Sequence, residues 1–181
     1  MARLLALSLW FASVFALPGC NAQESAQAGK YLTESEAGNA EFVSRWLAKH
    51  RAADQKDAQQ FMQQALREKQ RSNWSAATKA FGESMIRYPS PQALAGYAEA
   101  ELRMLGAVRA RDKNVNEHMA ADMKHALAFY ESALSANAVL RTLPAQESEQ
   151  LQKSVDCLKA YLASASKQAG CVPLEIYLAG R

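Results

Sequence analysis

Residues 74–91 read WSAATKAFGESMIRYPSP, and within them Trp74, Ala77, Phe81, Ser84 and Met85 recur at intervals of three and four. That spacing gathers all five on one face of an α-helix. Ser72-Asn73 supplies a turn and an N-cap ahead of Trp74. Tyr88-Pro89-Ser90-Pro91 then stops the helix, because proline lacks the amide that a further turn needs. A helix is therefore predicted over residues 74–87.

The same period extends outward in both directions. Downstream, residues 92–110 carry Leu94, Tyr97, Ala98, Leu102 and Leu105 on one side and pass into the charged run Arg109-Ala110-Arg111-Asp112-Lys113. Asn114 is placed to cap a long helix over 115–140, marked by Met119, Met123, Ala126, Leu127, Tyr130, Ala133 and Leu134 and stopped by Leu143-Pro144. A last long helix over 145–167 buries Leu151, Val155, Leu158 and Leu162. Upstream, Phe61, Met62, Ala65 and Leu66 mark a helix over 54–71, and Phe42, Val43, Trp46 and Leu47 mark another over 35–53. No Gly or Pro stands at 52–56, so the two either separate there or fuse. With only 8 Gly and 5 Pro in 181 residues and almost no strand-like runs, the chain reads as all-α. Its tail, 172–178, is either a short helix begun at Pro173 and capped by Gly180 or an extended strip. The helix is preferred, since an all-α protein offers a strand no ladder partner.

Ala77-x-x-x-Phe81-x-x-Ser84-x-x-x-x-Pro89 resembles the second helix of a tetratricopeptide repeat, with its small, aromatic, small and proline positions. Trp74 sits where an aromatic often opens that helix. Phe61 and Ala65 match the large and small positions of the first helix, whereas Gln64 and Glu68 depart from the leucine and aromatic expected there. Leu94-x-x-Tyr97-Ala98 is similar to the start of a second unit, and Ala126-x-x-x-Tyr130-x-x-Ala133 to its partner helix. That partner arrives about fifteen residues late and lacks the closing proline, so residues 106–120 lengthen the helices or insert a loop. The resemblance covers residues 58–140. It implies antiparallel helical hairpins stacked as a short array, with helices 35–53 and 145–167 as caps over exposed apolar faces. It also implies a concave surface on which another protein docks, with Gln60, Gln64, Arg67, Arg71, Glu101 and Arg103 as candidate contacts. An unrelated helical bundle is the alternative.

At the amino terminus, Arg3 precedes an apolar stretch from Leu4 to Leu17 that is too short to span a bilayer comfortably. The stretch closes on Leu17-Pro18-Gly19-Cys20, which resembles the lipobox of bacterial lipoproteins, Pro18 being its departure. The resemblance implies a signal peptide over 1–20, removed once Cys20 carries a diacylglycerol and an amide-linked acyl chain. It also implies a membrane tether, and Asn21 favours the outer membrane with the domain facing the periplasm. Ordinary secretion, with a cut after Ala16 or Ala22 and a soluble periplasmic or secreted product, is the main alternative, and a retained anchor the other. Residues 21–40, built of Ala, Gln, Glu, Ser and Gly, read as a flexible tether, 41–168 as the helical domain and 169–181 as a tail.

With Cys20 consumed by lipid, Cys157 and Cys171 remain as an even pair in a compartment that permits disulfides. A bridge would pin the tail onto the last helix and, by the chain-entropy model, contribute about 3 kcal/mol. The alternative is two buried free thiols. The spacing is far from the Cys-x-x-Cys of redox enzymes, so the role is structural.

Other chemistry is thinly represented. The net charge of +3 comes from interleaved Lys, Arg, Asp and Glu, which form no basic stripe for nucleic acid. Glu117, His118, Asp122 and His125 share a helical stretch, but they match no named zinc motif and lack a fourth ligand; they read as a solvated face, with no metal or cofactor. His50, within Lys49-His50-Arg51, reads as a surface residue. No Gly-x-Ser-x-Gly elbow is present, and no catalytic residue is assigned. The expectation is a periplasm-facing lipoprotein that binds another protein as an assembly or scaffold factor of an envelope complex. The alternative is an immunity or inhibitor protein that neutralises a toxic effector or hydrolase; an enzyme is the third reading.

Overall fold

A computed structural model describes residues 31–51, 53, 55–110, 115–164 and 169–179, and among these it is helical without strands. The helices are α1 (Glu34–Ala37), α2 (Ala40–His50), α3 (Lys56–Gln70), α4 (Trp74–Arg87), α5 (Pro91–Arg109), α6 (Val115–Leu140), α7 (Ala145–Ser164) and α8 (Val172–Ala179).

Local chemistry sets the boundaries. Asn73 turns its side-chain oxygen toward the Ala76 amide to open α4, and Ser90 caps α5 at the Ala93 amide with Pro91 in the first turn. The single helix expected over 35–53 is instead two. Asn39 adopts an extended backbone and accepts from the Phe42 amide at 2.9 Å, starting a new helix just after Gly38 ends the first. Thr33 and Glu36 form a reciprocal capping box on α1. The open question at 52–56 resolves into a break, since α2 ends at His50 and α3 begins at Lys56. Of the extra residues 106–120, which were expected to lengthen the helices or insert a loop, those up to Arg109 belong to α5 and those from Val115 to α6, helices of 19 and 26 residues. The predicted cap Asn114 lies outside the described residues, as do 165–168 of the last helix.

Helices α3 to α7 pack in chain order, each antiparallel to the one before. Ser84 Oγ near the end of α4 donates to the Ala58 carbonyl near the start of α3, at 2.9 Å. The Arg103 guanidinium covers the Trp74 ring at 4.6 Å, joining the end of α5 to the start of α4. Arg109 meets Asp122 at 2.8 Å between α5 and α6, and Lys159 meets Glu131 at 2.8 Å between α7 and α6.

Two elements depart from this order. Helix α2 does not cap α3: it packs on α6 and runs in the same direction, with Ser135 Oγ donating to the Ala40 carbonyl at 2.7 Å. The stretch expected as a tether, 21–40, is packed from residue 31 onward, because Leu32 and Ala37 are buried and the Leu32 amide donates to the Ile86 carbonyl at 2.7 Å. The tail is the helix α8, bridged to α7 by the Cys157–Cys171 disulfide with a Cα–Cα distance of 5.5 Å and laid across α5.

The residues singled out for repeat packing fall in the interior. Ala77, Ala126 and Ala133 are fully buried, and Phe81, Ser84, Pro89 and Tyr130 are buried. Trp74 is half-buried beneath Arg103.

Close approach of α8 to α5 depends on Gly106, where an added Cβ would overlap the Tyr177 carbonyl. Backbone cannot turn aside as a side chain can. Gly106→Ala is therefore expected to destabilise by about 1–3 kcal/mol through overpacking, offset in part by the roughly 1 kcal/mol that alanine gains as a helix former. Urea unfolding with amide exchange checks this: α8 should exchange faster while α3 and α4 keep their protection. Unchanged protection in α8 would mean the approach at Gly106 does not hold it.

Candidate functional site

Alternate helices of the array face a common groove. Its walls come from α3, α5 and α7, with α8 closing one end, and it encloses about 640 Å³. Ala95 and Gly96 of α5 and Leu151 of α7 line it, and the rings of Phe81 and Tyr130 reach it from the two helices behind. Small residues on α5 make the space: an added Cβ at Gly96 would come within 2.5 Å of the Phe81 ring. Leu66 on α3 and Val172 on α8, 43% and 39% exposed, form its lips.

The polar part of the groove is a linked set of charges. Lys69 Nζ lies 2.6 Å from Glu99 Oε2, tying α3 to α5, and Arg103 Nε reaches the other Glu99 oxygen at 3.2 Å. Burial pushes the Tyr130 phenol well above its usual range, with the Glu99 charge adding to the effect and Arg103 opposing it. The phenol therefore stays neutral and presents a hydroxyl to the groove, where among the described residues it has no hydrogen-bond partner. Apolar walls, a linked set of charges and a neutral hydroxyl suit the binding of an amphipathic chain segment.

Of the contacts predicted from sequence, Arg103 alone lines this groove. Gln60, Gln64, Arg67 and Arg71 are exposed, and Arg71 is held by Glu68 at 3.3 Å. At about 100° per residue, their stripe lies on the far side of α3 from Met62, Leu66 and Lys69. Glu101 likewise points away from Glu99 and Arg103 and meets His125 Nδ1 at 2.7 Å. The physical reason is plain: exposed polar stripes mark solvent, whereas the groove is lined by small and apolar residues that read as core. Leu66, kept on an apolar stripe wider than the core uses, was the available signal.

The residues considered for metal binding diverge. Asp122 accepts from Arg109 and from the Tyr177 hydroxyl, each at 2.8 Å, while His125 turns to Glu101 and His118 is exposed. Among the described residues no group of three or more His, Cys, Asp or Glu is placed to hold a metal ion. The Glu117 side chain and Cys20 lie outside the described residues. No described helix is long and apolar enough to cross a membrane. No family model, curated protein or solved structure matches the chain.

Proposed function

We propose that the protein binds a segment of another protein in the groove between α3, α5 and α7, serving as an assembly or scaffold factor at the cell envelope. One observation carries the reading. Of the three large apolar side chains exposed among the described residues, Leu66, Val108 and Val172, two line this one groove, from α3 and from α8. Exposed apolar side chains gathered over a concave, apolar floor mark an interaction site, whereas scattered ones need no explanation. The occupant is an amphipathic helix or strip whose apolar side enters between Leu66 and Val172 and whose polar edge meets Lys69, Glu99 and Arg103. The tetratricopeptide-like spacing at Ala77, Phe81, Ser84 and Pro89 supports the same reading.

The proposed address is the outer membrane, through a lipid on Cys20, with the helical array facing the periplasm. The disulfide between Cys157 and Cys171 supports it, because such bridges persist in oxidising compartments.

A photo-crosslinking residue placed at 66 or 172 in the full-length protein is expected to capture the same partner from intact cells, and one placed at 64 is expected to capture none. Capture from 64 and not from 66 would move the interface to the polar face of α3 and sink the groove. In the same cells Cys20→Ala should leave the membrane fraction; if it stays, the lipid tether is wrong. A captured hydrolase or toxin that the protein silences would select the inhibitor reading over the scaffold.

A further inference from the structure

On the face of α5 turned away from the groove, His125 stands between carboxylates from two other helices. Its Nδ1 lies 2.7 Å from Glu101 Oε2 on α5, and its Nε2 lies 3.7 Å from Glu34 Oε1 on α1. The same Glu34 oxygen accepts from the Tyr97 hydroxyl at 2.7 Å. The Phe129 ring packs against both rings, with centroids 5.0 Å from His125 and 4.7 Å from Tyr97. Glu34 opens α1, so the cluster fastens the N-terminal arm, residues 31–38, to α5 and α6.

We infer that His125 is a proton-controlled catch for this arm: charged, it bridges Glu34 and Glu101 and holds α1 on the helical body; neutral, it keeps Glu101 and releases Glu34. The geometry gives the asymmetry. In the neutral ring, the short contact to Glu101 keeps the proton on Nδ1, which leaves the Nε2 lone pair facing the Glu34 carboxylate. An attraction thereby becomes a repulsion on loss of one proton.

The surrounding charges favour the cation. The hydrogen bond to Glu101 raises the His125 pKa most, partial burial opposes it, and the charges of Glu101, Glu34 and Asp122 raise it further. Among the charges on the other helices packed on α6, Arg45 of α2 pairs with Glu41, Arg109 of α5 with Asp122 and Lys159 of α7 with Glu131. For a histidine whose folded-state pKa is raised, the stabilisation is complete below the unfolded-state value and is lost as pH rises through the folded-state value. The arm is therefore held on the acid side and loosened on the alkaline side.

Amide exchange of the full chain, corrected for intrinsic rates, tests this at Leu32, whose amide joins the arm to the Ile86 carbonyl. Because the pair is solvent-exposed, protection there should fall about twofold to fivefold as pH rises through the His125 titration, followed in parallel by the ring's NMR shift. Glu34→Gln and His125→Gln should each flatten that dependence, whereas Tyr97→Phe, which removes only the hydroxyl, should keep it. A flat wild-type profile, a slope surviving in Glu34→Gln, or a slope abolished by Tyr97→Phe would each overturn the catch.

Discussion

Phe81→Ala is expected to lower folding stability by about 3–5 kcal/mol, the cost of emptying a fully packed aromatic site. The ring is 1% exposed, and it sits where α4 crosses α5, directly over Gly96. The two positions share one space. Gly96→Ala alone would press a methyl group to 2.5 Å of the ring and should cost about 1–3 kcal/mol. In the Phe81→Ala background the same methyl group enters a cavity, so its cost should vanish or change sign. A double-mutant cycle read by urea unfolding measures the coupling. Additivity to within about 0.5 kcal/mol would show that the ring moves aside and that the helices do not meet as described. Because Phe81 and Gly96 also line the groove, either variant is expected to weaken partner capture from position 66.

The α4 side of this crossing is legible in the sequence, for reasons that are local. Trp74, Ala77, Phe81 and Ser84 follow the helical period, Asn73 caps, and Tyr88-Pro89 stops. Propensity, capping and periodicity agree over that stretch, so the helix and its buried face are both determined by neighbours in sequence. The long helix over 115–140 was legible from its periodicity. Gly38-Asn39 was not, because the apolar spacing of Phe42, Val43, Trp46 and Leu47 begins only after it and gives no sign of a separate turn ahead.

The site was hidden for a different reason. A groove in a helical array is lined by residues that lie between core and solvent, and Ala95, Gly96 and Leu151 have the composition of core. Only the packing of α3 and α7 on either side of α5 decides that they face an open space. Long-range docking of α2 on α6 and of α8 on α5 is equally invisible to periodicity, which assigns a face and not the partner that covers it. The polar stripe Gln60, Gln64, Arg67 and Arg71 was a true surface, but surface is where most polar residues are. Its position opposite Leu66 shows the better guide to be an apolar residue left over after the core is complete.

Joint replacement of Cys157 and Cys171 by alanine is expected to reduce stability by about 3 kcal/mol and to release α8 ahead of the rest. The bridge spans 14 residues, and reopening that loop returns its closure entropy to the unfolded chain. An eight-residue helix has little stability of its own, so α8 depends on what fastens it. Buried Pro173, Leu174 and Tyr177 hold it to α5, and the Tyr177 hydroxyl donates to Asp122 at 2.8 Å, beside the Arg109 contact. The Tyr177 contacts act in the second half of α8, whereas the bridge fixes its start, next to Val172. Loss of the bridge should therefore free Val172 first, taking one lip from the groove and lowering partner affinity with α3, α5 and α7 unaltered. Amide exchange of the reduced or substituted protein should show α8 losing protection while α3 to α6 retain theirs. If α8 stays protected and only the unfolding midpoint falls, its packing at Gly106 and Tyr177 holds it, and the bridge acts on the unfolded chain alone. If the midpoint does not move either, the stabilising role assigned to the disulfide is wrong.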